Sequence, residues 1–389
     1  MMTRKSFRAL TLLLFALFTG PCTAEVLWSQ PSDFYVDPPT GWTFVEDPSP
    51  EHFVMTDPGR HLILEIFSQD KAGETLDAKS TAVKTRLRAE GDEEPFDWNG
   101  SAAWLGDLTF QAGPVRVRGW ALVAANKNTW ITALAYAPEA DYDAASDTLI
   151  SVLDSLALGQ QGRKLPGPMS TFFEATTRQP RSESLSVAGL PTPFTLVYSL
   201  DRDESIQASM ERETRLLTAQ IGPHPTSQAA IAPAWSRFYR QIFRELYTSL
   251  SPVAGYWKAR LDAGQVTKEA LPQAVLSWLQ SYQYSRKGGL TDISTPWQTL
   301  KEQSGDCDSK ALVYLAVMEQ LGVNGILMVS ATLSHGMAAL DVPGQGARFP
   351  FDGNQWLVAE LTAKVDLGRI AQDMADPAQW IGVDLWAKP

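Results

Sequence analysis

The chain has 389 residues, a formal charge of −11, and two cysteines, Cys22 and Cys307. Such acidity argues against nucleic acid and anionic membrane surfaces as partners, and two cysteines are too few for a disulfide framework. The length exceeds what one hydrophobic core usually covers, so two or three domains are expected.

Residues 1–24 begin with Arg4, Lys5 and Arg8, run through the apolar stretch from Ala9 to Phe18, and close on Cys22-Thr23-Ala24. This is the pattern of a secretory signal cut after Ala24, and the stretch is too short for a comfortable membrane span. A retained anchor and a lipidated Cys22 are the alternatives; Pro21 sits badly before a lipidated cysteine. Cleavage removes three basic residues, taking the charge from −11 to −14, and sends the chain to the periplasm or the exterior. No later apolar run is long enough to span a bilayer. Cys307 is then the lone thiol in an oxidising compartment, either buried and inert or chemically employed.

Residues 25–158 read as strand-rich. A strand is expected over His61–Phe67, a helix over Leu76–Glu90, two strands over Val115–Ala137 turning at Asn126-Lys127-Asn128, and an amphipathic helix over Ala140–Leu158. This order resembles small α/β modules of the PsbP and Mog1-like kind, a likeness of topology without a motif. Residues 159–168, Gly-Gln-Gln-Gly-Arg-Lys-Leu-Pro-Gly-Pro, have linker composition. Beyond them, residues 169–389 begin with a strand over Thr192–Ser199. Then Trp235, Phe238, Tyr239, Ile242, Phe243 and Leu246 recur at helical spacing and mark a buried face. A further helix is expected over Lys268–Tyr284, with Pro272 in its first turn.

Residues 305–322 carry the chemistry. Asp306 or Asp308 caps a helix, Leu312, Leu315 and Ala316 mark its buried face, and Gly322 ends it, so Cys307 falls in the first turn. Unpaired N–H groups and the positive helix end there favour a thiolate and can hold an oxyanion, while the flanking Asp306 and Asp308 oppose the thiolate, so a cationic partner is needed. Of four histidines, His52, His61 and His224 lie far upstream and read as strand or loop residues. His335 alone follows the cysteine helix, on an apolar strand around 331–341. The next strand, 355–362, holds Glu360 in its apolar centre, where a carboxylate is costly unless paired. Asp352 is the alternative acid, although Asp352-Gly353-Asn354 is explained by turn chemistry.

A helix with Cys, a strand with His and a next strand with a carboxylate fit a thiolate paired with an imidazole that the carboxylate orients. This order resembles the bacterial transglutaminase-like, papain-related cysteine peptidases over about residues 272–368. The likeness includes Trp278, Gln280 and Tyr284, Thr295-Pro296, Gly305-Asp-Cys-Asp308, the His335 strand, and Glu360-Leu361-Thr362 followed by Gly368. It implies an α+β fold with a papain-like core, a Cys-bearing helix packed on an antiparallel sheet with His and Glu, preceded by a separate small α/β domain. It also implies Cys307, His335 and Glu360 as catalytic residues. Gln280 either donates toward the oxyanion, as an upstream glutamine does in papain-like enzymes, or is a solvated helix position. Asp306 and Asp308 resemble acids that bind calcium beside the nucleophile in some bacterial relatives; capping alone also accounts for them, and no cofactor is otherwise expected.

The expected activity is hydrolysis of amide or peptide bonds in a protein or peptide substrate, through a thioester. The alternatives are protein cross-linking, with a lysine amine as acceptor, and a non-catalytic interaction protein with an enzyme-like core.

Overall fold

The computed structural model of the chain describes residues 26–386 apart from 46–48, 50, 60, 176–178, 223–226 and 289–290. The expected signal, with Cys22 and Ala24, and His224 lie outside the described residues. The fold is α+β, built on two antiparallel sheets.

In chain order, β1 (Leu27–Ser29) and β2 (Phe34–Val36) precede β3 (Thr43–Phe44), β4 (His52–Thr56), β5 (Ile63–Asp70) and helix α1 (Leu76–Leu87). Then come β6 (Glu90–Trp98), β7 (Ser101–Ala112), β8 (Val115–Asn126), β9 (Thr129–Pro138), α2 (Tyr142–Asp154) and β10 (Ala157–Leu158). Strands β3 to β9 form one sheet in the order β3-β4-β5-β9-β8-β7-β6. Helix α2 buries Ala145, Leu149, Val152 and Leu153 against Leu64, Ile66, Leu122 and Ala133. A second core gathers around Trp104, Leu108, Val123 and Trp130, with Leu76 and Val83 of α1 packed against it. The composition did not disclose β6, because it is an edge strand that exposes most of its residues and so shows no alternation. His52, read as an ordinary strand residue, bonds Glu65 across the β4–β5 pair at 2.8 Å.

After α3 (Gly159–Gly162) and α4 (Pro168–Ala175) follow the hairpin β11 (Ser182–Ser186) and β12 (Thr195–Ser199), then helices α5 (Leu200–Ile221), α6 (Gln228–Tyr247), α7 (Ser251–Asp262) and α8 (Leu271–Gln280). The remaining elements are β13 (Gln283–Tyr284), α9 (Pro296–Glu302), β14 (Ser304–Gly305), α10 (Cys307–Gln320), β15 (Gly325–Ser330), β16 (His335–Leu340), β17 (Arg348–Phe351), β18 (Asn354–Ala359) and β19 (Ile381–Val383). The second sheet runs β17-β18-β16-β15-β19. Helix α10 is central: Leu312, Leu315 and Ala316 meet Phe238 and Ile242 of α6, Val275 of α8, and Ala338 and Leu340 of β16 in one core. Among the described residues no helix is long and apolar enough to cross a membrane.

The two halves meet through buried charge. Arg240 of α6 binds Asp37 through two bonds of 2.8 Å, and Arg237 reaches Glu213 at 2.8 Å, Ser151 Oγ at 2.7 Å and the Asp37 carbonyl at 2.9 Å. Arg244 donates to the carbonyls of Asp154, Leu156 and Leu165, and Arg212 pairs with Asp154 at 2.8 Å. Residues 159–168, expected as a linker from their composition, are part of this joint. The Pro166 carbonyl accepts from Trp98 and Asn99, and the Gly167 N–H donates to Glu245. Glycine and proline here serve close approach instead of freedom: a Cβ on Gly167 would collide with the Asp154 carbonyl. Helix α5 escaped the sequence reading for the same reason, since Arg202, Ser209, Arg212 and Glu213 make its buried face polar.

Candidate active site

Strand β14 pairs in parallel with β13, and Asp306 then turns the chain into α10. Its Oδ1 accepts the Ser309 N–H at 2.8 Å and the Ser309 hydroxyl at 2.5 Å, so of the two candidate aspartates Asp306 is the cap. Cys307 is the first helical residue and only 3% exposed. Strand β16 closes on the start of its helix so tightly that a Cβ on Gly336 would meet Asp308 Oδ1, and the N–H groups of Gly336 and Asp308 pull the thiol's pKa down.

His335 opens β16, immediately before Gly336, after a turn in which Ser334 takes a left-handed φ of 49°. The expected strand around 331–341 is thus shorter, because 331–334 reverse the chain between β15 and β16. Strand β18 lies against β16 and delivers Glu360 one residue past its end. His335 Nε2 meets Glu360 Oε2 at 2.8 Å, and Glu360 Oε1 accepts the N–H and the hydroxyl of Thr362 at 2.6 Å each. Burial would push this carboxyl up, but the His335 and Thr362 bonds outweigh it and hold it below its ordinary value. With Nε2 engaged, Nδ1 is the ring nitrogen left to move a proton. Asp352 sits in the β17–β18 turn with a φ of 47°, at the opposite end of β18 from Glu360.

The electrostatics of the sulfur are set by its burial and by the two aspartates that flank it in sequence. Burial, and next the charges of Asp308 and Asp306, push the Cys307 thiol up to about 12, against the pull of the two N–H groups. The helix start alone therefore does not supply a thiolate. Burial and the nearby Asp308 charge push Asp306 up to about 7, and burial raises Asp308 as well. Asp308 Oδ2 accepts the hydroxyl of Tyr239 at 3.1 Å. One turn along α10, Lys310 is fully buried and donates to the Tyr282 carbonyl at 2.7 Å; its ammonium faces Glu360 and Asp306, while burial lowers its pKa.

Gln280 has neither role the sequence suggested. It is buried, and its amide donates to the carbonyls of Glu360 at 2.8 Å and Val365 at 2.9 Å, which uses both its N–H groups. It fixes the backbone that carries the acid and has no proton left for an oxyanion. Calcium also fits poorly. Asp306, Cys307 and Asp308 place ligand atoms within 4.8 Å of one another. A calcium ion takes roughly six to eight oxygens, whereas here a sulfur lies in the set and both carboxylates already accept from Ser309 and Tyr239.

Sequence reasoning missed Tyr239, Lys310, Arg286 and Trp380. Trp380 lies with its ring centroid 6.1 Å from that of His335. Each comes from an element remote in sequence or carries no motif of its own. A cleft of about 750 Å³ lined by Leu196, Tyr198, Arg202, Trp297 and Leu300 is separate, and neither Cys307, His335 nor Glu360 lines it.

No protein-family model matches the chain, and no curated protein matches it. Among solved structures it is similar to the cyanobacterial PsbP protein (CyanoP) of Synechocystis, at 19% identity over 37% of this chain and 98% of that one, with a TM-score of 0.30. It is similar also to a protein of Bacteroides thetaiotaomicron, at 10% identity over 86% and 89% of the two chains, TM-score 0.27. A third is a "Putative Cysteine Protease from Cytophaga hutchinsonii", at 10% identity over 85% and 71%, TM-score 0.24. All three scores lie below 0.5, so the reading of the site rests on its own residues.

Proposed function

We propose that this chain is an exported cysteine hydrolase that cleaves an amide or peptide bond through a thioester, with Cys307 as nucleophile, His335 as base and acid, and Glu360 as orienting carboxylate. The observation that carries this reading is the 2.8 Å bond between His335 Nε2 and Glu360 Oε2, on a strand whose next residue, Gly336, closes on Asp308 beside Cys307 at the start of α10. A buried glutamate fixed at both oxygens serves to hold an imidazole in one tautomer, with Nδ1 as the free base.

The raised thiol sets the order of events. Cys307 waits as the thiol, and Nδ1 of His335 takes its proton as the sulfur attacks the carbonyl carbon, so attack and proton transfer are coupled. The N–H groups at the start of α10 are the donors at hand for the oxyanion. The carbon–nitrogen bond breaks as His335 passes its proton to the leaving amine. Water, deprotonated by His335, then attacks the thioester, releasing the acid and restoring the thiol. Residues 1–24 serve export, and residues 25–158 and 169–389 form two modules joined at 159–168.

The test is labelling of the purified protein with a thiol-directed activity probe. Cys307→Ala is expected to abolish labelling and His335→Ala to slow it. Equal rates in wild type and His335→Ala overturn the reading.

A further inference from the structure

Arg286 lies at the exposed mouth of the site, two residues beyond β13. Its Nε donates to the Tyr284 hydroxyl at 2.8 Å and its Nη2 to the Ser334 carbonyl at 3.0 Å. Ser334 precedes His335, and Gly336 closes on Asp308 beside Cys307, so three consecutive residues bind the guanidinium, carry the imidazole and meet the start of α10. The guanidinium is within electrostatic reach of Cys307 and Asp308.

Two features of Arg286 bear on its role. Half of the described arginines pair with a carboxylate, as Arg181, Arg212, Arg237 and Arg240 do. Arg286 has no carboxylate within 4.0 Å among the described residues. It is also pinned along its Nε–Nη2 edge, which leaves the opposite edge, one N–H of Nη1 beside the second N–H of Nη2, as a fork. A planar fork fixed on one side and open on the other is suited to a carboxylate, which takes two parallel bonds. Fixing the side chain beforehand removes much of the entropy cost of such a contact.

We propose that Arg286 is a specificity-determining residue that receives a carboxylate of the acyl donor close to the scissile amide. The substrate class is an acidic peptide, the carboxylate being either an acidic side chain or a chain terminus. This rests on the hydrolase reading above. It accounts for a cation with no carboxylate partner among the described residues on the rim of a site lined by the acids Asp306, Asp308 and Glu360.

The test compares two alkylating reagents of nearly equal shape on the full chain, the anionic iodoacetate and the neutral iodoacetamide, at one pH, following the Cys307 peptide by mass. In wild type the ratio of iodoacetate to iodoacetamide rate is expected to exceed that of a free thiol such as glutathione. Arg286→Gln should lower the iodoacetate rate about tenfold or more, the loss of a charge-assisted bond, and leave the iodoacetamide rate within about twofold. Arg286→Lys should keep part of the preference, since it keeps charge without the fork. Protection of Cys307 by N-acetylglutamate α-amide points to a side-chain carboxylate, and stronger protection by N-acetylglutamine to a terminal one. If Arg286→Gln slows both reagents equally, the residue acts on the thiol and the proposal falls. If it changes neither rate while His335→Ala slows iodoacetamide, the proposal falls and the hydrolase reading stands.

Discussion

Gly336 and Asp308 occupy the same space: a Cβ on Gly336 would collide with Oδ1 of Asp308, whose other oxygen is tied to Tyr239. The contact sets how closely β16 approaches the start of α10, where Cys307 lies.

Gly336→Ala is therefore expected to force Asp308 off Tyr239 or the strand off the helix. Overpacking of this kind costs about 1–3 kcal/mol. Urea denaturation should show the loss, and probe labelling of Cys307 should fall further than stability alone explains. A variant with native stability and native labelling would mean that the contact is loose.

Glu360→Gln should keep the fold, because Thr362 can still donate to the amide oxygen, and should cut His335-assisted modification of Cys307 about 100-fold or more. Circular dichroism checks the fold and probe kinetics the rate. Asp352→Asn, at the far turn of β18, should leave both unchanged.

Gln280→Leu leaves the carbonyls of Glu360 and Val365 without their donors, at a cost of about 2 kcal/mol. Thermal unfolding measures this. Because Gln280 positions the acid and touches no reacting atom, labelling by the probe should slow without a change in its pH profile. A shifted profile would give Gln280 a role in proton transfer.

Asp306→Asn tests the pH behaviour of the site. The Asp306 carboxyl stands at about 7 in the folded chain against an ordinary 3.8, so the folded state holds its proton more tightly than the unfolded state. Its contribution to stability is full below about 4 and is lost as pH rises through about 7. Wild type should lose Tm between pH 5 and pH 8. Asparagine still caps the helix, so Asp306→Asn should lose less. With that charge gone, the thiol becomes more acidic and its alkylation at pH 8 faster. An unchanged rate would remove Asp306 from the thiol's surroundings.

Asp37→Asn should cost about 3–5 kcal/mol, because it leaves Arg240 buried beside a neutral partner. Burial opposes the Asp37 charge, but Arg240 and Arg237 overcome it and lower its pKa. Its stabilisation is present above about 4 and is lost as pH falls through the lower folded value. The same joint is expected to protect residues 159–168 from limited proteolysis, and cutting there in native protein would contradict it.

The sequence by itself located the cysteine at a helix start, one histidine on a following strand and a glutamate it put in the centre of the next, where the structure has it one residue past the strand's end. Each of these is a local pattern of period or cap; the structure joins His335 to Glu360 at 2.8 Å and packs the His335 strand on the helix that Cys307 opens. It also disclosed the strands around Asn126-Lys127-Asn128 and the aromatic face of α6, where apolar spacing is undisturbed. Tertiary structure alone decided the rest. The joint at 159–168 and helix α5 are held by arginines that meet partners far away in the chain, so composition reads them as exposed. The same holds for Gln280, whose two carbonyl partners follow 80 and 85 residues later. The state of the Cys307 thiol depends on the two aspartates that flank it in sequence and, first, on its burial; a sequence states which charges exist but not the dielectric in which they act.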